Sequence, residues 1–345
     1  WASDCQSLYF TVQARGNVHL FQLPTSGGSP RMTVIDRGRV GAWSVADNGA
    51  IAYTFTAPSG PAELYMRHDG SSEPLTSLNA ELLAERVTAE VEAFTFSSFD
   101  GRPIEAFLTK PVDLDSANRH SLVVMIHGGP HGQQGAAFNL TAQVYAGLGW
   151  ATLMVNYRGS TGYGQELTDA IFMDQNGGEA KDVMAGVDAA LDRYRWLDGG
   201  RLVIEGGSYG GQLTNWIITQ TERFRAAIPR ASISNLISFN YMAYYHDYLA
   251  VEFGAYPHEN GIIDLLWERS PIRYAHSVTT PTMLVHGEND NDVPIAEAEQ
   301  FYIALKDVGV EVVMVRYPRE GHGIREAAHQ VDLLERSIAW YERHF

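Results

Sequence analysis

From residue 94 onward the chain alternates between two hydrophobic periodicities. Phe94-Thr95-Phe96-Ser97 and Ile104-Glu105-Ala106-Phe107-Leu108 repeat with period two on either side of Asp100-Gly101, a pattern that predicts a β-hairpin. Short apolar runs at 121–126, 151–155, 201–205, 225–229, 281–285 and 311–316 then predict strands. Between them, 138–147, 179–194, 211–221, 295–308 and 327–343 have the length and spacing of helices. Strands that take turns with helices predict a mostly parallel sheet covered on both faces, with the functional site at the carboxyl ends of the strands.

The first 85 or so residues follow a different rule, with short β-rich runs separated by turn residues. They also repeat. Trp1 recurs as Trp43, Asp4 as Asp47, Leu20-Phe21 as Leu64-Tyr65, and Ser29-Pro30 as Glu73-Pro74, at offsets of 42 to 44 residues. That is the period of a four-stranded propeller blade, and Leu8-Tyr9-Phe10 and Ile51-Ala52-Tyr53 resemble strands of the propellers that accompany certain serine peptidases. Two blades do not close a ring, so residues 1–85 are expected to be the tail of a larger propeller whose other blades lie upstream; a small two-repeat β domain is the alternative. Residues 78–93 have helical composition and read as a connector. The second domain is expected over 86–345.

The stretch Gly206-Gly207-Ser208-Tyr209-Gly210-Gly211 joins the apolar run Leu202-Val203-Ile204 to a buried-helix pattern beginning at Gln212. Gly-x-Ser-x-Gly between a strand and a helix is the signature of a nucleophile elbow, which pushes a serine hydroxyl into a site. Glycine is required at 206 and 210 because strand and helix pass too close for a Cβ. A serine hydroxyl needs a base, and the base needs an orienting carboxylate. In an α/β-hydrolase they follow in the order Ser, acid, His, on loops after later strands. Thr282-Met283-Leu284-Val285 leads to a loop containing Asp290, and Val312-Val313-Met314-Val315 leads to Glu320-Gly321-His322-Gly323. His322 is therefore the expected general base and Asp290 its acid, with Asp292 the alternative. His286, before the acid loop, reads as a structural histidine.

The transition state also requires donors for the developing oxyanion. Val123-Val124-Met125-Ile126 runs into His127-Gly128-Gly129-Pro130-His131-Gly132, so the donors are expected at the Tyr209 N–H and the Gly128 or Gly129 N–H. A metal site on His127 and His131 is rejected, because Gly-Gly-Pro between them forbids the helix that would put both imidazoles on one face.

Composition narrows the field. With 25 basic and 41 acidic residues the net charge is −16, which argues against non-specific attraction to nucleic acid or anionic membranes. The single cysteine, Cys5, excludes an internal disulfide framework and a multi-thiolate zinc site. It leaves the compartment open, leaning to the cytoplasm. There is no apolar run of bilayer-spanning length. No metal or organic cofactor is implied, and a homo-oligomer is compatible with the chain.

The ordered set of His-Gly-Gly-Pro at 127–130, Asn156-Tyr157-Arg158-Gly159-Ser160-Thr161-Gly162-Tyr163-Gly164, the Gly-Gly-Ser-Tyr-Gly-Gly elbow, Asp290 with Val293-Pro294, and Glu320-Gly321-His322-Gly323 resembles the prolyl oligopeptidase family of serine peptidases, in its acylaminoacyl-peptidase-like and dipeptidyl-peptidase-like branch. The resemblance implies an α/β-hydrolase catalytic domain preceded by a β-propeller, acting on short peptides near the N-terminus through an acyl-enzyme. A carboxylesterase on the same fold and a non-catalytic binding scaffold are the competing readings. In the family the region around 233–245 helps form the pocket for the residue before the scissile bond, which makes Ile233, Phe239 and Tyr241 candidates here, and Val293 beside Asp292 on the acid loop is a further substrate-binding candidate. One position departs from the family pattern: where an Arg or Asn often binds a substrate carbonyl, this chain has Asp292. A carboxylate accepts rather than donates, which tilts the expectation towards substrates with a free amino group.

Overall fold

The computed structural model describes residues 1–259 and 261–345. The N-terminal part comprises β1 (Ser7–Ala14), β2 (Asn17–Pro24) and β3 (Arg31–Val34), then β4 (Arg39–Val45), β5 (Ile51–Ala57), β6 (Gly60–His68) and β7 (Ser71–Pro74). β4 to β7 form a four-stranded antiparallel meander, β1 to β3 a three-stranded one, and the two meet at the Val18–Arg39 pairing of β2 and β4. The sequence repeat is thus visible in the strands, with Leu20 in β2 and Leu64 in β6. Leu20, Val34, Val40, Ile51 and Tyr53 close a small apolar core between the two units.

The connector is shorter than its composition suggests. Only α1 (Ala80–Glu85) is helical, and residues from Val91 join the large sheet. The reason is packing: α1 buries none of its residues, so nothing rewards extending it, whereas Val91–Ser97 gains a full antiparallel ladder with its neighbour.

The second part runs β8 (Val91–Ser97), β9 (Pro103–Thr109), β10 (His120–Ile126), α2 (Leu140–Gly147), β11 (Ala151–Asn156), α3 (Gln165–Asp169), α4 (Gly178–Arg193), β12 (Leu197–Gly207), α5 (Tyr209–Gln220) and β13 (Phe224–Arg230). It continues through α6 (Leu236–Met242), α7 (Tyr248–Phe253), α8 (Ile262–Glu268), a 3-10 turn, β14 (Thr282–Gly287), α9 (Ala296–Asp307), β15 (Val312–Tyr317) and α10 (Ala327–His344). The eight strands lie in the order β15-β14-β13-β12-β10-β11-β9-β8. Pairing is parallel from β11 through β10 and β12 to β15, and antiparallel between β11, β9 and β8.

Both faces of the central strands are buried, which is why they read as continuous apolar runs rather than alternating ones. Leu122, Val124, Leu202 and Ile204 point to the face covered by α4, α5 and α9. Val123, Met125 and Val203 point to the face covered by α2 and α10. A third cluster, including Ile233, Leu236, Phe239, Phe253, Leu266 and Val293, packs α6, α7 and α8 together beyond the strand ends. Among the described residues no helix is long and apolar enough to cross a membrane.

Candidate active site

The elbow is built as its glycines demand. Ser208 has φ 59° and ψ −124°, a left-handed conformation rare for a residue with a side chain and held only where the surroundings over-determine it. A Cβ at Gly206 would lie 2.3 Å from the Gly210 carbonyl oxygen, and one at Gly210 2.2 Å from the Ile126 oxygen. β12, α5 and the end of β10 therefore touch backbone to backbone. The Ser208 amide donates to the Arg230 carbonyl at the end of the neighbouring β13, at 2.9 Å.

The acid and base arrive on adjacent loops. A Cβ at Gly287 would sit 2.2 Å from the Gly321 oxygen, and the Asn289 amide donates to the Glu320 carbonyl at 2.8 Å, so the loops after β14 and β15 are fastened together. Glu320 secures the second loop by accepting from the Arg325 and Glu326 amides, both at 2.9 Å, and it contacts His329 Nδ1 at 2.8 Å. The outcome is His322 Nδ1 at 2.9 Å from Asp290 Oδ2. The other carboxylate oxygen of Asp290 accepts the amides of Asp292 at 3.0 Å and Val293 at 2.9 Å.

His286 does more than pack. Its Nε2 lies 2.8 Å from the Val293 carbonyl and 3.3 Å from Asp290 Oδ2, so two imidazoles flank the one buried carboxylate. Burial pushes Asp290 up, but the hydrogen bonds from His286, His322 and the Val293 amide outweigh it and hold the carboxyl at about 2. Asp290 also raises His322 above the ordinary histidine value against the opposing effect of burial, with a further push from Asp292. Both Ser208 and His322 line two cavities, and the Ser208 hydroxyl does not hydrogen-bond His322 here; such contacts often tighten only with substrate bound.

The smaller cavity, about 190 Å³, is lined by Gly129, Tyr209, Ile233, Phe239, Asp292 and Val293, together with Tyr245 and Tyr248. Four of the five pocket candidates meet there. Tyr241 does not: it is 58% exposed and its hydroxyl reaches outward to His258 Nδ1 at 3.4 Å. Two residues apart on α6, Phe239 and Tyr241 are separated by about 200° around the axis, so one helix cannot aim both into the same cavity. Tyr245 and Tyr248, which sequence reasoning did not single out, supply the aromatic wall instead.

Gly128 lies under the elbow, where a Cβ would be 2.8 Å from the Gly207 oxygen and 3.2 Å from Ser208 Cβ. The loop it belongs to is pinned by its two histidines. His127 stacks on Tyr157 with centroids 4.2 Å apart and contacts Ser160 Oγ at 2.9 Å. Burial pulls it down to about 4 and keeps it neutral. His131 contacts the Gly159 carbonyl at 2.9 Å and Glu252 at 3.1 Å. The glycine-rich stretch 156–164 is thereby a buttress for the 127–132 loop. The N-terminal strands lean on the same region: the Gly16 amide donates to Gln133 Oε1 at 2.9 Å and the Arg15 amide to the Gly162 carbonyl at 3.1 Å.

A parallel sheet with a strained serine between β12 and α5, an Asp after β14 and a His after β15, paired with each other, defines an α/β-hydrolase. Comparison with known proteins gives the family. Residues 136–345 match the model of the prolyl oligopeptidase family, peptidase family S9, and the chain belongs to that family of serine peptidases. It is 34% identical over 352 residues to an uncharacterised peptidase of Bacillus subtilis, YuxL, covering all of this chain and 53% of that protein. It is 29% identical over 367 residues to the acylamino-acid-releasing enzyme of Rattus norvegicus, covering 49% of that enzyme. Among solved structures, an acylaminoacyl peptidase of Pyrococcus horikoshii superposes with a TM-score of 0.92 at 28% identity, over 99% of this chain and 55% of that one. A puromycin-hydrolysing peptidase of Mycobacterium tuberculosis superposes with a TM-score of 0.85 at 26% identity, over all of this chain and 54% of that one. The chain thus spans about half the length of the relatives it matches.

Proposed function

We propose that this chain is the catalytic part of a serine peptidase that hydrolyses short peptides near their N-termini, of acylaminoacyl-peptidase or dipeptidyl-peptidase type. The observation that carries the reading is the pairing of His322 Nδ1 with Asp290 Oδ2 at 2.9 Å beside cavities that both contain Ser208. In this reading Ser208 Oγ attacks the scissile carbonyl while His322 Nε2 takes its proton. The C–N bond breaks as His322 returns that proton to the leaving nitrogen, and an acyl-enzyme remains. A water then attacks the ester, giving one proton to His322, and Ser208 recovers it as the acid departs. Asp290 holds the imidazole in the Nδ1–H tautomer and stabilises the imidazolium. The Tyr209 amide and an amide of Gly129 or Gly128 stabilise the oxyanion. Ile233, Phe239 and Val293 take the side chain before the scissile bond, and Asp292 attracts an amino group.

Residues 1–85 are read as the last two blades of a β-propeller, with 86–345 as the catalytic domain; the 42 to 44 residue repeat and the four-stranded meander β4 to β7 support that division. The remaining blades would lie in the part of the protein upstream of this chain.

A panel of p-nitroanilides with acyl-aminoacyl, dipeptidyl and single-aminoacyl donors, assayed on the protein beside a matched ester, tests the reading. Turnover of acyl-aminoacyl or dipeptidyl amides is expected. Ester turnover with no amide turnover would make the protein an esterase, and no turnover at all would leave only a binding scaffold.

A further inference from the structure

Ser208 and His322 separate two cavities, and only the smaller one contains Gly129 and Tyr209. The substrate carbonyl and acyl residue belong with those amides, so the larger cavity, about 440 Å³, is the space on the leaving-group side. Leu140, Ile324, Leu333 and Leu334 give it a largely apolar wall, with Thr141, Gln330 and Ser337 as neutral polar groups. Its one charged side chain other than His322 is Arg230.

Arg230 ends β13 directly beside the nucleophile, in register with Gly207. Its Nη2 lies 3.1 Å from Glu205 Oε1, and Glu205 is 1% exposed. The other Glu205 oxygen accepts the hydroxyls of Tyr145 and Tyr341, each at 3.0 Å. Burial pushes both phenols well above their ordinary value, so they remain donors. Glu205 is therefore fully occupied in holding one corner of the guanidinium. Among the described residues no other protein acceptor hydrogen-bonds the Arg230 side chain, which remains 29% exposed. A guanidinium has five N–H donors in a rigid fork, and the edge left free here matches a carboxylate. A partner that fixes one edge also lowers the ordering needed when the other binds.

We infer that Arg230 and the apolar cavity around it form a leaving-group subsite for an apolar residue with a free α-carboxylate, so that the preferred leaving group is a single amino acid or a very short peptide. An extended residue advances by about 3.3–3.6 Å, and a longer leaving peptide would set its carboxylate beyond the guanidinium. This inference rests on the hydrolase reading above and names the substrate class for it.

The test uses two peptides that share the best acyl donor of the panel and end in leucine, one as the free acid and one as the amide. The wild-type protein is expected to cleave the free acid with a kcat/KM about ten-fold or more higher, the effect of one charge-assisted hydrogen bond. Arg230→Gln, which removes the guanidinium, brings the ratio close to one, and Arg230→Lys, which keeps the charge without the fork, leaves it intermediate. In the wild-type protein L-leucine inhibits more strongly than leucinamide, a comparison that needs no variant to fold. Equal cleavage of acid and amide by the wild type, an unchanged ratio in Arg230→Gln, or equal inhibition by the two products overturns the subsite while leaving the hydrolase reading intact. Cleavage of neither peptide and of no panel amide overturns the hydrolase reading and the subsite with it.

Discussion

Tyr209 follows Ser208, the proposed nucleophile, and its side chain is anchored by a carboxyl whose charge state depends on pH. The Tyr209 hydroxyl donates to Glu179 Oε1 at 2.7 Å, and Glu179, at the start of α4, also accepts the Gly177 amide at 3.0 Å and the Asn176 amide. Burial pushes this carboxyl up to about 7 despite the Tyr209 hydrogen bond that opposes it. Against an ordinary value of 4.5 that corresponds to about 3 kcal/mol between the two protonation states. The folded value lies above the unfolded one, so this stabilisation is fully present below about pH 4.5 and is lost as pH rises through about 7. Tyr209→Phe removes one donor. At pH 5, where Glu179 is neutral, the loss is about 1 kcal/mol; at pH 8.5, where it is ionised, the loss grows to about 1.5–3 kcal/mol, because bonds to charged groups are stronger. Urea midpoints of wild type and variant at the two pH values measure the difference, and Glu179→Gln, which has no titrating group, should flatten the wild-type decline between pH 4.5 and 7. An equal loss at both pH values, or a larger loss at pH 5, refutes the reasoning.

Two further perturbations bear on catalysis. Gly210→Ala puts a Cβ 2.2 Å from the Ile126 oxygen and 2.8 Å from the His127 oxygen, both backbone, so the 127–132 loop, proposed to supply an oxyanion donor, must shift; a stability loss of about 1–3 kcal/mol and a fall of about 100-fold or more in kcat/KM are expected, and near-wild-type kinetics would contradict the close approach. Asp292→Asn removes a negative charge that raises His322, so the acid limb of the kcat/KM profile, where His322 becomes the neutral base, should move to lower pH and the preference for free over acylated amino groups should fall. A profile and preference both unmoved would remove Asp292 from the site.

Much of this architecture is legible in the sequence because it depends on local pattern. The central strands are buried on both faces, and each becomes a short apolar run. Ser208, Asp290 and His322 stand out because each follows such a run in a turn rich in glycine or acidic residues. What escaped depends on contacts between distant segments. Arg230 gains its meaning from Glu205 and from two tyrosines on α2 and α10, and nothing in the run Ala226-Ala227-Ile228-Pro229-Arg230 announces those partners. Glu179 sits in an ordinary helix start until Tyr209 reaches it across 30 residues. His286 was legible as a strand-end histidine, but its contact with Asp290 requires the turn at 290–293 to fold back on it. The region around 233–245 is marked as a wall of the site only through the family resemblance, and the phase of α6 decides that Phe239 faces inward and Tyr241 outward.

The most direct measurement of the catalytic proposal is intact-mass labelling with a fluorophosphonate, followed by peptide mapping. The wild-type protein should take one adduct, on Ser208; Ser208→Ala should take none; and His322→Ala and Asp290→Asn should label about 10³–10⁴-fold more slowly. An adduct on another residue, or labelling of Ser208 that is as fast without His322 and Asp290 as with them, would contradict a triad built from these three side chains.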